Sequence, residues 1–280
     1  PVQAGSAPDV VARLFADKLG VAWGQGVVVD SRPGAGGIPG MSTLAHAAND
    51  GYTIGFVPAA MGAITPLVYK TPRFNVDTDL MSIATVGTSP LLLVTQAGNG
   101  IKSLDDLART ARSNPGKLNF AAAQTNSLPH LAGEMVNKAG EMGLFTVPYA
   151  GPPSAIIAVV KGEVTFTDAG IPGLVQHIKS GKLQTLAVTS STRLAGFDSV
   201  PTVAETFPGY EVVGWFQIMV PVGTPLKVIE TINRDVNKIT RAPEVVARLA
   251  ELGVYPRQDT VEAAGAFFVS QQRAMKKIVA

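Results

Sequence analysis

Short apolar runs and amphipathic stretches alternate along nearly the whole chain. Val10, Val11, Leu14, Phe15 and Leu19 recur at helical spacing, which predicts a helix with one face laid on a sheet. The turn before it, Ala4-Gly5-Ser6-Ala7-Pro8, places Ser6 as the cap, Pro8 in the first turn where its missing N–H costs nothing, and Asp9 in the capping-box position. Such a turn leaves the first helical N–H groups pointing outward with the positive end of the helix dipole behind them, a site for a carboxylate or a phosphate. Residues 27–29 read as a short buried strand, 40–48 as a helix ended by Asn49-Asp50-Gly51, 52–57 as a strand, and 83–86 and 91–96 as two more.

The pattern restarts after Gly98-Asn99-Gly100. Ser103 caps a helix running to about residue 113, 118–122 is a strand, and the loop 124–128 leads into a helix from Pro129 to Gly140. Strands at 145–148, 164–167 and 183–189 alternate with helices at 154–160 and 172–180, a strand follows at 215–221, and helices complete the chain. The strand–turn–helix arrangement thus recurs near Ser127, Pro153 and Pro172. Alternating strands and helices with short connections predict an α/β fold with two mainly parallel sheets, each covered on both faces. The expected division is one lobe from residues 1–97 and 221–280 and a second from 98–220. Two strands, 91–96 and 215–221, would cross between the lobes as a hinge. Ligands of open α/β sheets lie beyond the carboxyl ends of the strands, so the two sets of loops are expected to face one cleft.

Composition narrows the class. The 280 residues are 46% hydrophobic and 16% charged, with a net charge of +2, which excludes a disordered chain and a nucleic-acid-coating surface. Apolar runs such as 91–94 and 155–160 fall far short of the roughly 18–20 residues that span a bilayer. Cysteine is absent, so there is no disulfide, thiol ligand or thiol nucleophile. Pro1-Val2-Gln3-Ala4 reads as the tail of a strand, and a leader and most of a first strand are expected to precede it.

Catalytic and cofactor signatures fail in detail. The run Gly34-Ala35-Gly36-Gly37-Ile38-Pro39 has proline where a dinucleotide fingerprint needs its third glycine, and no P-loop exists; no cofactor is expected. His46, His130 and His177 lie far apart in sequence and none is credited with a partner at i+3 or i+4, so no metal is expected either. No nucleophile elbow is present, and Ser127, His130 and Asp168 form the one set that could converge for catalysis. His130, in the first turn of its helix, either bonds its own loop or contacts a ligand. Asp168, at a strand end before a helix, either caps that helix or accepts a donor from a ligand. Trp215 and Phe216 read as packing at the crossing strand or as a stacking platform.

Eight segments in order carry a family resemblance. Ala4-Gly5-Ser6-Ala7-Pro8-Asp9-Val10-Val11-Ala12-Arg13 resembles the "AGGxxDxxAR" opening of the tripartite tricarboxylate transporter receptors, the Bordetella uptake gene (Bug) or TctC-like family. Val28-Val29-Asp30-Ser31-Arg32-Pro33-Gly34-Ala35-Gly36-Gly37 is similar to its "VVENRPGAGG", Asp50-Gly51-Tyr52-Thr53 to its "DGYT" and His130-Leu131-Ala132-Gly133-Glu134 to its "HLAGE". Val147-Pro148-Tyr149, the stretch 181–189, Pro201-Thr202-Val203-Ala204-Glu205 and Pro221-Val222-Gly223-Thr224-Pro225 complete the set. The resemblance implies a periplasmic solute receptor with a two-lobed Venus-flytrap fold, monomeric and non-catalytic, handing a small organic acid to membrane transporter subunits. It implies first-lobe contacts from Gly5, Ser6, Ala7, Pro58, Ala59, Ala60 and Met61. Second-lobe contacts would come from Thr125, Asn126, Ser127, His130, Tyr149, Ala150, Gly151, Asp168 and Ala169.

The chain departs from that pattern where Ser6 replaces the family's second glycine and where Pro58-Ala59-Ala60-Met61 replaces small polar residues. These changes make the site less polar and favour an acid with an apolar or aromatic body over citrate. Two other readings remain at this stage: an enzyme acting on a small acid through Ser127, His130 and Asp168, and a cytosolic effector-sensing domain.

Overall fold

The computed structural model describes residues 1–2, 4, 6–69, 74–123 and 127–279, the last three as backbone alone. In chain order the elements are helix α1 (Ala7–Trp23), a 3-10 turn (Ala35–Gly37), α2 (Ile38–Ala45), strand β1 (Gly55–Pro58), a π-helical turn (Ala60–Ile64), α3 (Thr65–Val68), α4 (Val76–Asp79), β2 (Leu80–Gln96) and α5 (Leu104–Ser113). There follow β3 (Asn119–Ala123), α6 (Leu128–Ala139), β4 (Phe145–Tyr149), α7 (Pro152–Val160), β5 (Phe166–Gly170), α8 (Ile171–Lys179), β6 (Leu183–Val188) and α9 (Val203–Thr206). The chain ends with β7 (Val213–Pro221), α10 (Leu226–Ile239), α11 (Pro243–Glu251), β8 (Tyr255–Pro256) and α12 (Val261–Val279). They form two compact units, Pro1–Thr88 with Gly214–Ala280, and Ser89–Val213.

In the first unit, β1 pairs antiparallel with β7, β7 neighbours β2, and β8 pairs antiparallel with the early part of β2. The core joins one stripe of α1 (Val11, Phe15, Leu19) to Ile83, Val86, Phe216 and Ile218 of the sheet. It continues into α10 through Ile229, Ile232, Val236 and Ile239, a spacing of three and four residues that gives a helix one apolar face. Residues 27–29, expected as a strand, form none. A strand is a ladder shared with a partner, and among the described residues these valines have none; Val28 is 89% exposed.

In the second unit the order is β6-β2-β5-β3-β4. The strands linked through helices, β3, β4, β5 and β6, share one direction, as right-handed crossovers require. Only β2 runs against them, antiparallel to both β5 and β6. It does so because it continues directly from the first unit as one 17-residue strand, where the sequence pattern predicts two. Together with the antiparallel pairs of the first unit, this makes the sheets mixed rather than mainly parallel.

Local capping rules account for several helix starts. Ser103 accepts from the Asp106 amide at 3.0 Å and opens α5, while Thr202 and Glu205 make a full capping box on α9. Ser6 does not cap α1 with its side chain. The Asp9 carboxylate instead accepts from Ser31 Oγ and Arg13 Nε, both at 2.8 Å, so the expected capping box is replaced by a tie to a residue 22 positions away.

Gly133 sets the fit of α6 on the second sheet. A Cβ there would run into the ring of Phe120, which is itself stacked on Phe166 with centroids 4.9 Å apart. Both rings are fully buried and cannot yield. Gly133→Ala should therefore destabilise the protein by about 1–3 kcal/mol. Phe120→Leu in the same chain should recover part of that loss, so that the double variant is more stable than the two single effects sum to; urea unfolding of the four proteins measures it.

Candidate functional site

The second unit assembles its polar elements at one edge of the sheet. Parallel pairing sets Ala123 beside Tyr149, so β3 and β4 end side by side, and β5 lies parallel on the other side of β3. Each of the three strands runs into a helix: α6 from Ser127, α7 from Gly151, α8 from Gly170. Three helix N-termini, each with a proline in its first turn, are thereby carried on the carboxyl edge of three neighbouring strands. Proline carries no N–H, so α7, which opens Pro152-Pro153, keeps only the Ser154 amide of its first three, and in α6 the His130 amide is taken by Ser127 Oγ; the dipoles still favour negative charge at all three starts.

Of the residues the sequence singles out in this unit, Ser127 is the cap of α6. Its Oγ accepts from the His130 amide at 3.3 Å and donates to the Ala123 carbonyl at 2.5 Å. The His130 imidazole lies 3.8 Å from Glu134 at i+4 on the same helix, and Glu134 also accepts from Thr146 Oγ1. His130 therefore does have a partner at i+4, contrary to the sequence reading, which credits none of the histidines with one. Tyr149 ends β4 half-buried, Ala150 is exposed, and Gly151 caps α7 through its backbone. Ala169 is buried within the ladder opposite Leu92. Thr125 and Asn126 lie outside the described residues, as does Gly5 in the first unit.

Asp168 stands in the middle of β5, paired with Leu93 and fully buried. It does not cap α8, whose cap is Gly170. Among the described residues neither carboxylate oxygen has a partner at full hydrogen-bond geometry. Burial pushes its carboxyl well above the usual carboxylate range, opposed only in part by the backbone amides of Asp168 and Gly133. Tyr210, whose hydroxyl donates to the Ala132 carbonyl at 3.0 Å, is likewise pushed well up, first by burial and then by the nearby Asp168. Ser127, His130 and Asp168 form no hydrogen-bonded relay among the described residues: the serine hydroxyl goes to main chain, the imidazole faces Glu134, and neither Asp168 oxygen is bonded.

In the first unit, Ser6 and Ala7 sit at the start of α1, with Ser6 extended (ψ 159°) and its carbonyl accepting from Val10. Pro58 closes β1 opposite Phe216, and Ala59 begins a helical turn at once, continued by the π-helical residues 60–64. Gly62 lets this turn lie on Trp215, since a Cβ there would stand 2.7 Å from the indole. Trp215 is 1% exposed, with Phe268 edge-on at 5.7 Å, so it packs as a core residue and offers no open stacking face. Met61 is held by the left-handed Gly37 (φ 83°), whose Cβ, if present, would meet the Met61 side chain at 2.5 Å. No group of three or more potential metal ligands exists among the described residues, and none of the described helices is long and apolar enough to cross a membrane.

Comparison with known proteins gives a consistent answer. Residues 11–280 match the model of the tripartite tricarboxylate transporter family receptor. The protein BugT of Bordetella pertussis is 35% identical over 91% of this chain and 79% of its own length. Among solved structures, Rpa4515 of R. palustris with adipate is 28% identical with a TM-score of 0.79, covering 99% of this chain and 93% of that one. MatC of Rhodopseudomonas palustris with bound malate is 25% identical with a TM-score of 0.75, covering 100% and 97%. The fold is that of the two-lobed periplasmic binding proteins.

The buried Asp168 carries a pH signature. The folded state holds its proton more tightly than the unfolded chain, so stability is undiminished below the ordinary carboxylate pKa of ~3.9 and falls as pH rises through the elevated folded value. Asp168→Asn removes the charge and keeps the shape. The variant should match the parent at low pH and exceed its melting temperature by several degrees at pH 7–8, about 1–2 kcal/mol. Calorimetry at a series of pH values measures the gap, which should widen with pH.

Proposed function

The chain belongs to the tripartite tricarboxylate transporter receptor family, a family of solute-binding receptors and not of enzymes, and from that premise we propose what it binds and how. It works in the periplasm as a monomer that captures a small organic carboxylate and passes it to the transporter's membrane subunits. The arrangement of helix starts on the carboxyl edge of the second unit is the observation that carries this reading. Those N-termini supply N–H donors for an anion without any catalytic group.

The chemistry of the site residues narrows the ligand. Ser6, Ala7, Pro58, Ala59, Ala60 and Met61 contribute no formal charge from the first unit. In the second, Thr125, Asn126, Ser127, Tyr149, Ala150, Gly151 and Ala169 are neutral, His130 already faces Glu134, and Asp168 is an acid. Recognition therefore falls to main-chain amides and hydroxyls, which suit one or two carboxylates better than the three of citrate. Met61, the alanines and Tyr149 favour an acid with a substantial apolar body. The adipate and malate of the related structures are dicarboxylates, consistent with this charge limit. On this reading, binding draws groups from both units, and the crossing strands serve as a hinge for closure.

Thermal unfolding with adipate, malate, citrate, benzoate and phenylacetate tests the proposal. A ligand at about 100 times its dissociation constant adds about 2.7 kcal/mol, and an acid with an apolar or aromatic body should give the largest shift; a larger shift with citrate would overturn the preference. Ser6→Asp places a competing carboxylate at the start of α1, where it also makes a good cap. It should leave the unliganded protein as stable as the parent while weakening the best acid by about tenfold or more, or 1.4 kcal/mol. Unchanged affinity by calorimetry would remove residues 6–7 from the site.

A further inference from the structure

The turn between β2 and α5 holds an asparagine against its own chain. Asn99-Gly100 is the one Asn-Gly pair in the sequence, and Gly98, Asn99 and Gly100 are all exposed. The Asn99 side chain folds back: Oδ1 accepts from the Ile101 amide at 3.0 Å, while Nδ2 donates to Thr95 Oγ1 at 2.6 Å. The first bond makes an Asx turn, which carries the side-chain carbonyl carbon over the intervening peptide. The nitrogen of that peptide belongs to Gly100, and it is open. Among the described residues no acceptor takes its hydrogen, and Gly100, at φ 89°, has nothing within 4 Å of where a Cβ would stand. Asn75 supplies the contrast. Its Oδ1 accepts from the Asp77 amide at 2.9 Å, the same bond two residues on, but the intervening residue is Val76, buried at the start of α4. A stiff, branched side chain there crowds the nitrogen.

We propose that Asn99 is a site of spontaneous covalent modification, in which the Gly100 nitrogen closes on the Asn99 side chain as a succinimide and water opens the ring to aspartate and isoaspartate. The Gly100 N–H gives its proton to solvent base and a C–N bond forms to Cγ. The Cγ–Nδ2 bond then breaks, and the nitrogen takes a proton from water and leaves as ammonia. Water adds to either ring carbonyl, so the balance is one water in and one ammonia out, with nothing oxidised or reduced. Glycine is what admits the attack, since a residue without Cβ lets another group approach its backbone closely. The products alter the turn. Both lose the Nδ2 donor on Thr95, a fully buried hydroxyl that itself donates to the Thr165 carbonyl at 2.6 Å. Isoaspartate also adds one main-chain atom just ahead of the buried Ile101.

The test holds the whole protein in mildly alkaline buffer, well below its melting temperature, and follows every asparagine by peptide mass spectrometry, with an isoaspartate methyltransferase reading the isomer. Asn99 should gain the one-dalton mass of deamidation first, as a mixture of aspartate and isoaspartate, and faster as hydroxide rises. Its rate should exceed that of Asn75 by about tenfold or more, equivalent to about 1.4 kcal/mol in the barrier. Gly100→Ala should slow the conversion by a similar factor. Alanine is strained at this φ, so the melting curve of the variant is recorded, and if it fails to fold the comparison of Asn99 with Asn75 in the parent decides. The free peptide Ala-Gly-Asn-Gly-Ile-Lys runs alongside. Asn99 unchanged in the folded protein while the peptide converts overturns the proposal, because the fold then protects the pair. A rate at Asn99 no greater than at Asn75 overturns it too, and so does conversion to aspartate alone, which would mean direct hydrolysis without a ring.

Discussion

The second unit depends on a pair of stacked rings. Phe120 on β3 and Phe166 on β5 hold neighbouring parallel strands in register from the inside, and Gly133 brings α6 down onto them. Packing this close leaves no room for adjustment, because protein interiors tolerate little excess volume. Two consequences follow along the same elements. The start of α6, with Ser127 bonded back to Ala123, is fixed relative to the strand end that precedes it. Asp168, two residues beyond Phe166 and so on the same face of β5, is fully buried with no hydrogen-bond partner among the described residues. The fixed start of α6 and the burial of Asp168 thus arise from the same close packing.

Other acids are kept in ordinary pairings. Asp9 is occupied by Ser31 and Arg13 at the base of α1. Glu205 is engaged by Arg193 and by the Thr202 amide, which hold its pKa down to about 2. Neither acid is free to repel an incoming carboxylate.

Much of the fold was legible from periodicity and capping. Helices α5, α6 and α8 lie within two residues of where apolar spacing and capping residues put them, because those rules act over four or five residues. The readings that differ all involve partners distant in the chain. Ser6 does not cap because Asp9 finds Ser31; residues 27–29 make no strand without a ladder; β2 is continuous because it serves two units. The π-helical turn at 60–64 and its rest on Trp215 leave no local mark beyond Gly62. Of the candidate site, the helix starts were legible as turn chemistry. The burial of Asp168 was not, since it depends on how closely α6 approaches, and that is set by a glycine 35 positions earlier.

The placement of the two tryptophans has an optical consequence. Trp23 is half-buried and donates to Asp235, whereas Trp215 lies in the interior directly beneath the turn that carries Ala59, Ala60 and Met61. The chain therefore contains an intrinsic chromophore packed directly against the turn at 59–64, and a second that is hydrogen-bonded to a carboxylate. Emission from the pair reports on that segment without any added label.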